Sequence, residues 1–412
     1  MRIPRAAAAT AIAALVLAGC GAGAGGQEVG SSATPINTCA PEPGVTADSV
    51  TIAVVFPQSG PAADVFKNFG VAAQLRADEL NRKEGVGGRR IVLRLYDDRN
   101  DPAVQREVGR QALADGAFGV IAASQQDSMY PALAQAGVPV TGLPNLPPYG
   151  TDVNVFGAFG AYSTTYASTA AAQRFKEAKA RLVAVVTAKS PGAIAAANGF
   201  IASLNATNLA QAGATYEVEP DARNLDLVAS QIKSSGATGV NVISLVESGT
   251  TVLRALKSQN ASPRMALVHG LANPADVLAA KGALDGAVGA PYGYIPLQLN
   301  HAEVKRYVAG MAAKGVDPYS PFAPIGYVAS DLMAVGLAGA GSCPTRADFI
   351  RVLRGVTDYL GAGLLPGKVS FAPGVTPDGD PQRCTWFLTV RGDSMLPDDN
   401  ATCGLLINTE VN

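Results

Sequence analysis

Catalysis needs nucleophiles and titratable groups at workable spacing, and this sequence offers few. It has two histidines, His269 and His301, which leaves little material for a Ser/His/Asp triad. Its cysteines and histidines do not cluster at zinc spacing, and neither a phosphate loop nor a dinucleotide fingerprint occurs. The pair Asp97 and Asp98 follows a strand-like run and precedes "RNDP", so it reads as turn-shaping rather than as an acid/base pair. "RGD" at Arg391 to Asp393 reads as chance. An enzyme is not expected, nor is a cofactor or a metal. What remains is the chemistry of binding: hydroxyls, amides and one or two titratable groups in loops between apolar runs. These are Ser59 in "PQSGPAA", Ser124 and Gln125 in "AASQQDS", Thr141 in "TGLPN", Glu247 in "LVESG" and His269 in "HGLANP". Ser59 also suits a helix N-cap, with Pro61 in the first turn and the N–H groups of Gly60, Ala62 and Ala63 facing outward. Tyr292 and Tyr294 follow in "PYGYIPL".

The elements that would hold these loops alternate. "VTIAVVF" is a strand and Ala62 to Asn81 has helical spacing; "RIVLRLYDD" is a strand and "DPAVQREVGRQALADG" a helix ending at Gly116. "FGVIAA", a short helix at Tyr130 to Ala136, and "VPVTG" continue the series. The succession then restarts. "YASTAAAQRFKEAKA" reads as a helix, and "RLVAVVTAKSPGAIAAANGFIASLN" repeats the strand, proline turn and long helix of the first pass. "ATYEVE", "TGVNVISLV" and "RMALVHG" add strands. After Pro296 come three helical patterns, strand-like "GKVSFA" and a cysteine-flanked end. This alternation predicts parallel sheets with helices on both faces, in two similar domains. In such sheets ligands bind beyond the carboxyl ends of the strands, where the polar loops fall.

The chain is 412 residues long with a formal net charge of −1, so nothing points to nucleic acid as a partner. Arg2 and Arg5 precede the apolar run Ala6 to Leu17, which has signal-peptide length, and Ala18 and Gly19 are small. Cys20 directly after them resembles the lipobox of bacterial lipoproteins. Residues 1–19 are then a lipoprotein signal peptide, Cys20 the lipidated residue, and 20–44 a flexible tether rich in Gly, Ala and Ser. Four further cysteines allow three pairings in an exported chain. Cys384 and Cys403 flank a strand-and-turn segment and could close a local loop, which would leave Cys39 with Cys343.

In order and spacing, "VTIAVVFPQSGPAA", "FGVAAQLRADELN", "LRLYDDRNDPAVQREVGRQALADGAFGVIA" and "AGVPVTG" resemble type I periplasmic solute-binding proteins. The branch is the leucine/isoleucine/valine-binding receptors of ABC importers, and the likeness runs from about Val45 to the C-terminus. The resemblance implies two doubly wound α/β lobes joined by three crossovers, closing on a small-molecule ligand by hinge motion. It puts lobe 1 at 45–163 plus 296–372 and lobe 2 at 164–295 plus 373–412, which keeps each cysteine pair within one lobe. It implies an extracytoplasmic, lipid-anchored monomer that serves an ABC permease, with a sensory lipoprotein as the alternative. The site residues so implied are Ser59, Ser124, Gln125, Thr141, Tyr162, Glu247 and His269. In amino-acid-binding members two carboxylates meet the ligand ammonium, and the matching places here hold Tyr162 or Ser163 and Leu271. A buried ammonium without a partner is costly, so an ordinary α-amino acid is not the expected ligand unless Glu247 or Asp127 substitutes. A carboxylate, an amide or an aromatic or aliphatic compound fits better.

Overall fold

Short apolar runs between Ala-rich helices can bury both faces only as parallel strands covered on each side, and the computed structural model has this arrangement twice. It describes residues 39–218 and 223–410; the signal segment, Cys20 and the tether as far as residue 38 lie outside the described residues. The first sheet holds β1 (Ser49–Phe56), β2 (Arg90–Asp97), β3 (Gly119–Ala122), β4 (Val140–Gly142) and β5 (Val155–Gly157). Their spatial order is β2-β1-β3-β4-β5, and every pairing is parallel. Between them run α1 (Phe69–Asn81), α2 (Pro102–Ala114), α3 (Tyr130–Gln135) and α4 (Pro148–Thr151).

After β6 (Tyr166–Ser168) and α5 (Ala170–Glu177), the second sheet begins with β7 (Leu182–Ala188), α6 (Pro191–Ala206), β8 (Ala210–Gln211) and β9 (Tyr216–Val218). It continues through α7 (Leu225–Ser234), β10 (Gly239–Ile243), α8 (Val246–Ser258), β11 (Met265–His269), α9 (Pro274–Ala280) and β12 (Val288–Ala290). Then α10 (Ala302–Ala313), α11 (Ala323–Gly339) and α12 (Arg346–Leu353) return to the first sheet. The end of the chain supplies β13 (Cys384–Thr385), β14 (Leu388–Arg391), β15 (Ser394–Pro397), β16 (Thr402–Cys403) and β17 (Leu406–Asn408). β14 and β15 extend the second sheet antiparallel, in the order β15-β14-β12-β11-β10-β7-β8, while β9 also pairs with β7.

The period-2 alternation of each strand splits the cores. Ile52 and Val54 of β1 face α1, α10 and α11, whereas Ala53 and Val55 face Val108 of α2 and Leu133 of α3. In the second sheet Val186, Val242 and Val268 pack with α7 and α8, and Val183, Val185 and Leu267 pack with Phe175 of α5 and Leu204 of α6. A charged network ties α1 to α11. Arg76 meets Asp331 at 2.7 Å and Glu79 at 3.0 Å, and the hydroxyls of Tyr327 and Tyr359 donate to Glu79 and Asp331. Both cysteine pairs are bonded, Cys39 to Cys343 and Cys384 to Cys403, the second directly across the β13–β16 pair.

Three local expectations fail. The helix expected from Ala62 begins only at Phe69, because Asn68 sits in the left-handed region (φ 66°) and residues before it form turns. Asparagine tolerates that conformation, and its side chain is held by the Ser320 hydroxyl at 2.9 Å. The helix expected from Tyr166 begins at Ala170, since Tyr166–Ser168 pairs antiparallel with β17. "GKVSFA" makes only the isolated bridge between Tyr359 and Val369.

Candidate functional site

The carboxyl ends of β4, β11 and β12 converge on a cavity of about 400 Å³. The loop after β4 supplies Leu143, Pro144 and Asn145; β11 supplies His269; the segment from Ala290 to Tyr294 supplies two tyrosines. Phe159, Ala171, Phe322, Pro366, Gln382 and the run from Cys384 to Trp386 close the rest, with Arg383 exposed outside it. Backbone crossings set these walls tightly. Gly160 has φ 112°, and a Cβ there would lie 2.7 Å from the Asp380 carbonyl oxygen; a Cβ on Gly293 (φ 73°) would lie 2.5 Å from the Phe159 ring. Only glycine lets these chains approach so closely.

The walls are aromatic and uncharged. Tyr292 and Phe322 pack with ring centres 5.4 Å apart, and Phe322 stacks on Phe66 at 5.2 Å. The Trp386 indole N–H donates to the Asp398 carbonyl at 2.8 Å, leaving its ring to line the cavity. No Asp, Glu, Lys or Arg is among the lining residues. The His269 Nε2 pairs with the Asn241 Oδ1 at 3.0 Å, and burial pushes its pKa down to about 4, so the imidazole is neutral at physiological pH. Burial, with a smaller contribution from Asp276, pushes the Tyr292 hydroxyl up to about 12.

Two polar atoms in this enclosure have fixed roles and no hydrogen-bond partner among the described residues. The Asn145 amide donates to the Ser124 carbonyl at 2.9 Å, which makes its Oδ1 the spare acceptor. The Gln382 Oε1 accepts from the Cys384 N–H at 3.0 Å, which makes its Nε2 the spare donor. A buried polar atom left unpaired costs about 1–3 kcal/mol. A guest that offers a donor and an acceptor on an apolar frame would pair both atoms.

Of the residues singled out in sequence, His269 lines this cavity, with Tyr292 and Tyr294. Ser59 does not cap a helix. The β1–β2 register aligns Phe56 with Asp97, and the Ser59 hydroxyl donates to that carboxylate at 2.6 Å. Burial works to raise the Asp97 carboxyl, but hydrogen bonds from the Ser59 hydroxyl and from the Gln58, Arg99 and Ser59 N–H groups together hold it below the usual carboxylate range. Ser124 is buried behind the wall, and Gln125 is exposed and paired with Asn100 at 3.0 Å. Thr141 is fully buried and donates to the Ala329 carbonyl at 2.9 Å, facing α11. Tyr162 packs half-buried against the α3 side of the first sheet. Glu247 lines a separate recess with Arg254 and Asp276, and Asp127 another with Arg106 and Arg110. Leu271 is core, and the Ser163 hydroxyl closes a local turn. Sequence reasoning passed over Asn145, Phe159, Phe322, Gln382 and Trp386. Trp386 carried the one available signal, as the only tryptophan in the chain.

A family model described as periplasmic binding protein matches residues 49–394. The Leu/Ile/Val-binding protein BraC3 of Rhizobium johnstonii is 27% identical over 300 residues, spanning 71% of this chain and 80% of that protein. The leucine-binding protein LivK of Thermotoga maritima superposes with a TM-score of 0.67 at 17% identity, covering 87% of this chain and 99% of that one. A solute-binding protein of an ABC transporter from R. palustris, solved in complex with 4-hydroxybenzoate, superposes with a TM-score of 0.68 at 15% identity, covering 87% and 98%. These relatives are binding proteins of transporters, not enzymes.

Proposed function

The chain belongs to the periplasmic binding protein family, and from that premise we propose that it is a lipid-anchored receptor which delivers an organic carboxylate, an amide, or an aromatic or aliphatic solute without an ammonium group to an ABC importer. Its broader role as an extracytoplasmic solute-binding receptor of the ABC-transporter type goes with the family. The ligand, the anchor at Cys20, the monomeric state and the lobe boundaries at 45–163 plus 296–372 and 164–295 plus 373–412 are the proposal's own.

The observation that carries the ligand reading is the absence of any charged side chain from the cavity lining. An α-amino acid would bring an ammonium into an aromatic enclosure with no carboxylate among its described lining residues, Asp276 acting on Tyr292 from the neighbouring recess. Desolvating it without a carboxylate costs several kcal/mol. An aromatic or aliphatic body bearing an amide or a carboxyl group instead finds ring faces, the spare Gln382 donor and the spare Asn145 acceptor. Binding of 4-hydroxybenzoate by one structural relative is consistent with this class. Closure of the lobes would then pair the two spare atoms through the ligand.

The test is a thermal-shift and calorimetric panel of benzoates, benzamides, aliphatic amides and branched-chain amino acids. A true ligand at 100 times its Kd stabilises the fold by about 2.7 kcal/mol. Stabilisation by an amide or aromatic carboxylate and not by leucine is expected. Stabilisation by leucine, isoleucine or valine would overturn the reading.

A further inference from the structure

At the pole of the second sheet away from the cavity, a basin of about 660 Å³ opens among Lys176, Lys179, Arg181, Asn208, Thr238 and Arg264. The sheet topology gathers them. Arg181, Thr238 and Arg264 directly precede β7, β10 and β11, which are neighbours in the sheet, and Asn208 lies just before β8 at the adjoining position. β11 thus carries Arg264 before its amino end and His269 of the cavity at its carboxyl end. The four cations are all exposed, and no acidic residue lines the basin. Lys176 donates to the Thr207 carbonyl at 3.2 Å. Lys179, Arg181 and Arg264 have neither a hydrogen bond nor an ion pair from their side chains among the described residues.

Two observations set this apart from an ordinary solvated surface. The whole chain has a net charge of −1, so four like charges in one concavity do not follow from a basic composition. The α5 dipole favours a cation at Lys176 in its last turn, but it does not account for Arg181 or Arg264. Lys179 holds a left-handed backbone (φ 58°) in the turn after α5, as Lys281 does after α9 and as Gly116, Gly137 and Gly236 do after α2, α3 and α7. Glycine takes that conformation without strain, so Lys179→Gly removes the side chain and keeps the turn.

We propose that the basin binds a phosphate-bearing anion. Two guanidinium forks match phosphate oxygens in pairs, and two ammonium groups supply point charge beside them. Free phosphate and the headgroup of an anionic phospholipid share this chemistry, and two arms of one experiment separate them. In the first, inorganic phosphate is titrated calorimetrically into the full chain at low salt. In the second, the full chain and its Arg181→Ala/Arg264→Ala variant are each sedimented with vesicles of phosphatidylglycerol and of phosphatidylcholine. The phosphatidylcholine arm subtracts apolar uptake, and the variant, which keeps Arg2 and Arg5, subtracts their attraction to the anionic lipid.

The doubly neutralised variant Arg181→Ala/Arg264→Ala should weaken the positive arm about 30-fold, from two cations acting at a charged surface. Lys179→Gly, which suits the turn, should weaken it about fivefold. Neutralising Arg106 and Arg110 on α2 should leave it unchanged. A response to phosphate assigns the site to a soluble anion, and a response only to phosphatidylglycerol assigns it to a headgroup. No response in either arm, or equal losses in the basin and α2 variants, would overturn the proposal.

Discussion

The neutrality of the cavity can be tested without knowing its ligand, by Gln382→Glu. The change is nearly isosteric. One carboxylate oxygen keeps the hydrogen bond from the Cys384 N–H, and the other replaces the unpartnered Nε2. That oxygen would enter a space lined by aromatic rings and no cation. Desolvation then favours the protonated form in the folded state. Gln382 is only half-buried, so a rise of about 1.5 units above the unfolded value of about 4.3 is reasonable, well short of the shifts of fully buried acids. The folded variant therefore holds its proton to higher pH than the unfolded chain does, and stability falls as pH rises through that window. At about 1.36 kcal/mol per unit the loss is about 2 kcal/mol above pH 7 and vanishes near pH 4. For a chain of this size it should appear as a Tm about 2.5 °C below wild type at pH 8, closing toward pH 4. The assay is a pair of differential scanning melts from pH 4 to pH 8. A wild-type-minus-variant difference that stays flat with pH would mean that water or a cation reaches Gln382, and the account of a neutral enclosure would fail.

Three further outcomes are expected. Thr141→Val should cost about 1 kcal/mol in denaturant unfolding, from the lost bond to Ala329, and leave ligand-induced stabilisation intact. Asp331→Ala should cost about 1.5–3 kcal/mol, because it leaves the half-buried Arg76 guanidinium to Glu79 alone and removes an acceptor from the Tyr359 hydroxyl; a loss below about 1 kcal/mol would show that network to be solvated. His269 has its pKa lowered from 6.5 to about 4 by burial, so the unfolded chain binds the extra proton first. Wild type should lose stability as pH falls through that interval, and His269→Gln should remove that part of the slope.

The layered α/β architecture was legible because strand and helix periods differ and recur twice along the chain, and register then followed from burial. The cavity was much less so. Loops at strand ends do line the cavity, yet Thr141, in the middle of β4, and Ser124, two residues past β3, turn inward, since alternation alone does not say which side of a short strand faces the cavity. Asn145 lies only a few residues beyond Thr141, a difference that alternation alone does not resolve. Gln382 and Trp386 come from a returning segment far along the chain, and no local pattern ties them to β4 or β11. The delayed start of α1 had the same cause: Asn68 is held by Ser320, a partner hundreds of positions away.

The bond from Cys39 to Cys343 decides where mechanical load enters the molecule. Any pull on the chain ahead of Cys39 passes through sulfur to the loop between α11 and α12, where Arg89 also grips the Ser342 carbonyl. β1, which starts only ten residues later and carries the Ser59 loop, lies off that force path. Under the proposed attachment at Cys20, tension on the chain would be taken up at the Cys39–Cys343 bond and would not peel the central strand β1 from its sheet.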